Sequence, residues 1–237
     1  MKRFQNKVVM VTGAAGNLGY AVAKEFMEAG AKLVLTDHKP DRLHGLFPAF
    51  GQEDHFLASP INSLNVEEIS GAARLAMEKF GRIDVLVNTV GGYAAGDAVH
   101  QTDYEQFDFM INLNLKTAVL ACQAVIPIMV EKKGGKIINI GSRAGLKGGA
   151  NSAAYSASKA AVIRLTESIS AEVRAEGINV NCVLPGIIDT PQNREAMPKA
   201  NFSHWVTPQS IARVILFLAS DDAKDIHGVS VPVYGLT

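Results

Sequence analysis

A chain of 237 residues, 48% of them hydrophobic, is long enough for one large α/β domain and apolar enough to bury a substantial core. Lys plus Arg and Asp plus Glu each total 23, so charge gives no basis for nucleic acid or an anionic membrane as the main partner. The two cysteines, Cys122 and Cys182, lie in apolar surroundings without metal-ligand spacing. That fits buried free thiols in a reducing compartment and no bound metal.

At the start, MKRFQNKVVMVTGA carries too short an apolar run for a signal-peptide core. The longest apolar stretch, TAVLACQAVIPIMV, is interrupted by Gln123 and Pro127 and is read as short of a membrane span. A soluble, cytoplasmic protein is expected. Short β-branched runs predict strands at 7–12, 32–36, 55–58, 83–88, 136–140, 178–184 and 229–233. Most are continuous apolar runs, the pattern of strands covered on both faces. Amphipathic stretches between them predict helices near 18–29, 65–80, 103–130, 154–176 and 208–219. This alternation predicts βαβ units and a doubly wound parallel sheet of about seven strands, with helices on both faces. No linker or repeat divides the chain, so 1–237 is read as one domain. Pro127 is expected to kink the long third helix or mark its last turn. The segment 190–208, with three prolines and no sustained period, is expected to be a long loop beside a ligand.

Two places carry chemistry. In VVMVTGAAGNLGYAVAKEFMEAG a strand, a turn and a helix follow one another, and Gly13, Gly16 and Gly19 lie in the turn. The helix aims free N–H groups and its positive dipole end at that turn, which suits a pyrophosphate. Asp37 follows at the end of the second strand, where a carboxylate accepts ribose hydroxyls and repels a 2′-phosphate, favouring NAD over NADP. Lys39 and Arg42 nearby keep NADP open. Further on, Tyr155 and Lys159 stand four apart at the opening of a helix, on one face. An ammonium beside a phenol is expected to lower a pKa that starts at about 10, so that the phenol exchanges a proton near neutrality. Ser142 lies just beyond the C-terminal end of the preceding strand, the sheet edge where ligands bind.

These motifs together resemble the short-chain dehydrogenase/reductase family, and the resemblance covers essentially the whole chain. TGAAGNLG resembles its cofactor turn, and INIGSRAG with YSASK its Ser and Tyr-x-x-x-Lys. NLNLKTAVLACQAVIPIM resembles the helix bearing its Asn, and LPGIIDT its Pro-Gly stretch ending in Thr. The resemblance implies a Rossmann-type oxidoreductase domain that moves hydride between nicotinamide and a carbonyl or secondary alcohol. Tyr155 would be the acid or base, Ser142 would orient the substrate oxygen, Lys159 would bind the nicotinamide ribose and tune Tyr155, and Asn114 would anchor a water. Thr12, Gly13, Asn17, Leu18 and Gly19 would surround the pyrophosphate, Asn88 and Gly91 the adenosine half, and Pro185, Gly186, Ile188 and Thr190 the nicotinamide. It also implies a homotetramer, with a dimer as the fallback, built on the helices near 103–130 and 154–176.

Departures from the family pattern mark this chain. Asn17 replaces the middle glycine of the turn, and its tolerance of left-handed backbone is expected to preserve the turn. NTVG (88–91) replaces Asn-Asn-Ala-Gly, so Thr89 and Val90 must support the central strand differently. No carboxylate follows the third strand to meet adenine, and VPVYGLT replaces the common Asp-Gly-Gly. GGYAAGDA and LPGIIDTPQNREAMPKANFSHW resemble dihydropteridine reductase, which suggests Tyr93 and Trp205 flanking a flat ring, while Trp205, the only tryptophan, is equally read as a packed hydrophobic anchor of its loop. Dihydropteridine reductases lack the serine that Ser142 supplies, which favours ordinary carbonyl chemistry. The competing reading from another class is a dinucleotide-binding protein without turnover; the set Asn114, Ser142, Tyr155 and Lys159 argues against it.

Overall fold

A computed structural model describes residues 2–48 and 61–237 and, for the main chain only, 55–58. Among these residues seven strands, β1 (Val8–Thr12), β2 (Lys32–Thr36), β3 (His55–Ala58), β4 (Val85–Asn88), β5 (Gly135–Ile140), β6 (Ile178–Pro185) and β7 (Ser230–Val233), form one sheet in the order β3-β2-β1-β4-β5-β6-β7. Every neighbouring pair is parallel. The α/β doubly wound fold expected from the alternation is the one observed. The order reverses between β1 and β4, the switch point at whose C-terminal edge such sheets bind ligands.

Among the described residues eight α-helices accompany the sheet: α1 (Asn17–Glu28), α2 (Pro40–Leu46), α3 (Val66–Phe80), α4 (Tyr104–Ile111), α5 (Thr117–Glu131), α6 (Ala153–Val173), α7 (Pro191–Ala196) and α8 (Pro208–Leu218). Alternate side chains of one strand reach opposite faces. Val9 and Val11 of β1 join Val22 and Phe26 of α1 and Ile211 and Ile215 of α8. Val8 and Met10 join Ile69 of α3 and Val125 and Met129 of α5. Each fully buried side chain of this size contributes roughly 1.5–3 kcal/mol.

Three expectations about the helices need correction. The long apolar stretch continues into one helix, Tyr104–Glu131, which by length and composition alone could cross a membrane. It serves the core instead, since Leu120, Ala121, Val125 and Met129 are buried against the sheet and α3. Its distortion falls at a π turn, Asn112–Lys116, so Pro127 is not the site of a kink; it lies in the closing turns of α5, the other place expected for it. Wider winding loosens the ordinary ladder there, and the Thr117 hydroxyl picks up the Leu113 carbonyl at 2.8 Å. The third correction concerns 190–208. Thr190 accepts a hydrogen bond from the Asn193 N–H, and Pro191 supplies a preset φ, so α7 opens there. A second short turn spans Phe202–His204.

Candidate active site

The turn after β1 is shaped by one left-handed residue and one close approach. Gly13 has φ +68°, and a Cβ on Gly19 would lie 2.2 Å from the Gly13 carbonyl oxygen, so α1 rests directly on the turn. Asn17 is the first residue of α1 with right-handed backbone, and the expected left-handed conformation is not used. Its side chain amide donates to Gln192 Oε1 of α7 at 2.8 Å. Gly16 precedes α1 without a side-chain cap, which leaves the first N–H groups of the helix facing the sheet edge. Leu18 is buried under the turn.

Asp37 is buried at the end of β2. One carboxylate oxygen accepts the Ala15 N–H at 2.9 Å and the other the Lys39 N–H at 3.0 Å. His38 Nδ1 lies 3.3 Å from the second oxygen. The carboxylate therefore ties β2 to the glycine turn, and each oxygen retains a lone pair for a further donor.

Asn88, read as an adenosine neighbour, is buried, and its side chain acts as a strut beneath the site. Its amide donates to Asn139 Oδ1 at 2.9 Å across the β4–β5 pairing, and Asn139 donates to Thr166 of α6 at 3.0 Å. Thr89, the substitution in NTVG, donates to the Thr12 carbonyl at 2.5 Å and so fastens the end of β4 to the end of β1.

The four residues read as a catalytic set converge at this edge from different elements. Ser142 follows β5 and accepts the Ala144 N–H at 3.2 Å, which leaves its hydroxyl hydrogen for the Tyr155 phenol. Lys159, one turn along α6, is buried and donates to the Ile140 carbonyl at 2.8 Å. Asn114, in the π turn, accepts the Gly92 N–H at 2.9 Å and donates to Gly92 O at 3.1 Å and Ser158 Oγ at 3.0 Å. A Cβ on Gly91 would lie 2.9 Å from Asn114 Oδ1 and 3.2 Å from Lys159 Nζ, which places those groups together. Both hydrogens of the Asn114 amide are thus spent as a clamp, and its oxygen, which accepts once, keeps a lone pair for a water. The small residues around the pair have a packing role as well. The turn Arg143–Gly145 lies so close to α6 that a Cβ on Gly145 would come within 2.8 Å of the Lys159 main chain.

The electrostatics correct the expectation that Lys159 makes Tyr155 acidic. Burial pushes the phenol above its ordinary value, the Ser142 hydrogen bond opposes this, and the neighbouring Tyr93 reinforces it. Burial also lowers Lys159 to about 8. An ammonium weakened in this way and held by a carbonyl leaves the phenol protonated. Both cysteine thiols are buried, and burial raises Cys122 to about 12 and Cys182 to about 11, so neither is a ready nucleophile.

Tyr93 is exposed at the rim, its ring edge-on to Tyr155 with centroids 4.8 Å apart. Trp205 is buried and packs on Phe202 with centroids 4.8 Å apart, in keeping with its reading as a loop anchor and not with a place beside a flat substrate. Ile188 bridges to Val206, Thr190 caps α7, and Gly186 donates to the Val233 carbonyl at 3.0 Å, continuing from Pro185 at the end of β6. Residues that the sequence reading passed over are Gly92, Ser158, Asn139 and the Ile140 carbonyl. The matched polar ends of the apolar strands β4 and β5 were the one available signal.

The family model for short chain dehydrogenase matches residues 7–201. The chain is 37% identical to the (2S)-[(R)-hydroxy(phenyl)methyl]succinyl-CoA dehydrogenase subunit BbsD of Thauera aromatica, over 98% of this chain and 96% of that protein. It is 34% identical to 7alpha-hydroxysteroid dehydrogenase of Bacteroides fragilis, over 99% and 95%. Among solved structures, gox2181 superposes with a TM-score of 0.91 at 32% identity, covering 98% of this chain and 96% of that one. With the family model spanning most of its length and full-length relatives above 30% identity, this chain belongs to the short-chain dehydrogenase family of oxidoreductases acting on alcohol and ketone groups.

Proposed function

We propose that the protein is an NAD(H)-dependent dehydrogenase that interconverts a secondary alcohol and a ketone, with Tyr155 as proton donor or acceptor. The observation that carries this reading is the convergence of Ser142, Tyr155, Lys159 and Asn114 at the switch-point edge, beside a glycine turn and an uncapped α1. The residues fit a dinucleotide. The N–H groups opening α1, with Thr12, Gly13, Asn17, Leu18 and Gly19, would hold the diphosphate, Asp37 and Gly91 the adenosine half, and Lys159, Pro185, Gly186, Ile188 and Thr190 the nicotinamide half. When bound, the dinucleotide supplies or takes the hydride. The chain does the rest: Ser142 orients the substrate oxygen, Tyr155 exchanges its proton with that oxygen, and Asn114 holds Gly92 and α6 in place.

The substrate side is open around Tyr93 and Leu146, both exposed, which favours a ketone with a bulky, partly apolar substituent. The named relatives act on a secondary alcohol in an acyl thioester and in a steroid. The pterin reading loses one of its two stacking rings with Trp205 buried. NADH oxidation against β-ketoacyl thioesters, ketosteroids, simple ketones and quinonoid dihydropterin tests the reading. Turnover of a ketone supports it, turnover of the pterin alone replaces it, and bound cofactor with no turnover of any carbonyl favours the non-catalytic alternative. The reading includes a homotetramer, supported by exposed Tyr104 and Phe109 on α4, and sedimentation velocity checks it.

The choice of NAD rests on Asp37, where a 2′-phosphate would meet a buried carboxylate. Asp37→Ala is expected to weaken NADH binding roughly tenfold and to narrow or reverse the preference over NADPH. Because Asp37 also holds the Ala15 N–H, the ratio of the two dissociation constants is the discriminating readout. Tighter NADPH than NADH binding by the unmodified protein would overturn the choice, with Arg42 and Lys39 then the natural phosphate partners.

A further inference from the structure

We propose that Asn17 and Gln192 form a clasp that closes the segment 190–205 over the dinucleotide's diphosphate and sets how fast the cofactor leaves; the proposal rests on the dinucleotide reading above. Asn17 sits at the opening of α1, the end of the helix that faces an anion, and its amide reaches across to Gln192 of α7 at 2.8 Å. Asn17, but not Gln192, also lines a neighbouring cavity of about 240 Å³ that reaches Arg42 and Leu46 of α2, Pro191 of α7 and Pro208 of α8.

Two features make this contact more than a surface pairing. The first is that the loop is stapled to itself. Ile188 bridges to Val206, Arg194 forks onto Asp189 at 2.6 and 2.8 Å, and the Arg194 guanidinium lies 4.8 Å over Phe202, which packs on Trp205. Asn193 returns to the Ile188 carbonyl at 2.7 Å. Among the described residues, the bond that Gln192 accepts is the only side-chain hydrogen bond from α7 to a residue outside 188–206. This stiff unit is fixed at its far end, where the His204 carbonyl accepts the Leu236 N–H at 2.8 Å, and meets the glycine turn through this one side-chain contact. The second is that a primary amide carries two hydrogens. One is on Gln192 and the other has no partner among the described residues, so Asn17 can hold a phosphate oxygen and the loop at once. A glycine at this position, the residue of the resembled pattern, could do neither.

The test is the NADH dissociation rate of the full-length protein, followed by stopped-flow fluorescence. Asn17→Gly and Gln192→Ala are each expected to raise it about fivefold, the effect of one neutral hydrogen bond, and the double variant no more than the larger single one. Hydrogen exchange of the 191–197 amides without cofactor should quicken in both single variants. Unchanged dissociation rates, multiplying effects in the double variant, or unchanged exchange would overturn the clasp while leaving the dinucleotide reading intact. Failure of the unmodified protein to bind NADH would overturn both.

Discussion

Tyr155→Phe is expected to lower turnover by roughly 10²–10⁴ while NADH still binds, because it deletes one proton donor and little else. The ring that packs edge-on against Tyr93 remains, and so does the main-chain carbonyl that accepts from Ser158 at 2.7 Å. The pH profile separates a chemical role from a packing one. Burial raises the phenol, so it is protonated at neutral pH and already suited to giving a proton to a developing alkoxide. Reduction should therefore be flat through neutrality and fall only as the phenol titrates on the alkaline side. Oxidation needs the deprotonated oxygen and should rise with pH through the same range. In the phenylalanine variant both limbs should vanish from whatever residual rate remains. Comparing kcat/KM against pH in both directions checks this. A variant that keeps its rate, or loses rate but keeps both limbs, would remove Tyr155 from the reaction.

Much of this site was legible without coordinates, for physical reasons that also explain what was not. Strands such as VVMVT and VLVN are buried on both faces, so their nearly continuous apolar runs located them closely. Tyr155 and Lys159 are one helical turn apart, a spacing readable in any helix, and Ser142 is placed by the end of β5. Short helices defeat periodicity. Neither α2 nor α7 is long enough to show an apolar stripe, although Pro40 and Pro191 mark their first turns. The π turn at Asn112–Lys116 inserts no distinctive residue, so a smooth helix was the natural reading. The direction of the Tyr155 shift was hidden because it depends on how many atoms exclude water from the phenol, a property of packing that spacing does not encode. The Asn17–Gln192 contact joins residues 175 positions apart, and nothing local announces it.

Lys159→Met is expected to abolish most of the activity and yet leave the protein as stable at pH 7 as before, or more so. The buried ammonium titrates at about 8 against an ordinary 10.5, with burial the leading cause. A depression of that size corresponds to about 3 kcal/mol of cost at neutral pH. The folded state binds this proton more weakly than the unfolded state does. The cost is therefore present in full below about pH 8 and shrinks as pH rises toward 10.5. Methionine keeps the chain's bulk and removes the charge, but it leaves the Ile140 carbonyl without its 2.8 Å donor, a loss of roughly 1–3 kcal/mol that offsets much of the gain. The decisive readout is the difference in unfolding free energy between the two proteins at pH 7 and at pH 10. The unmodified protein should gain on the variant across that window, while NADH affinity and turnover of the variant stay low at both. A buried lysine retained at such a cost points to a task that a hydrophobic side chain cannot perform. If the two proteins instead keep a constant stability difference from pH 7 to 10, the ammonium is not strained by its burial, and the case for Lys159 as a tuned functional group loses its electrostatic support.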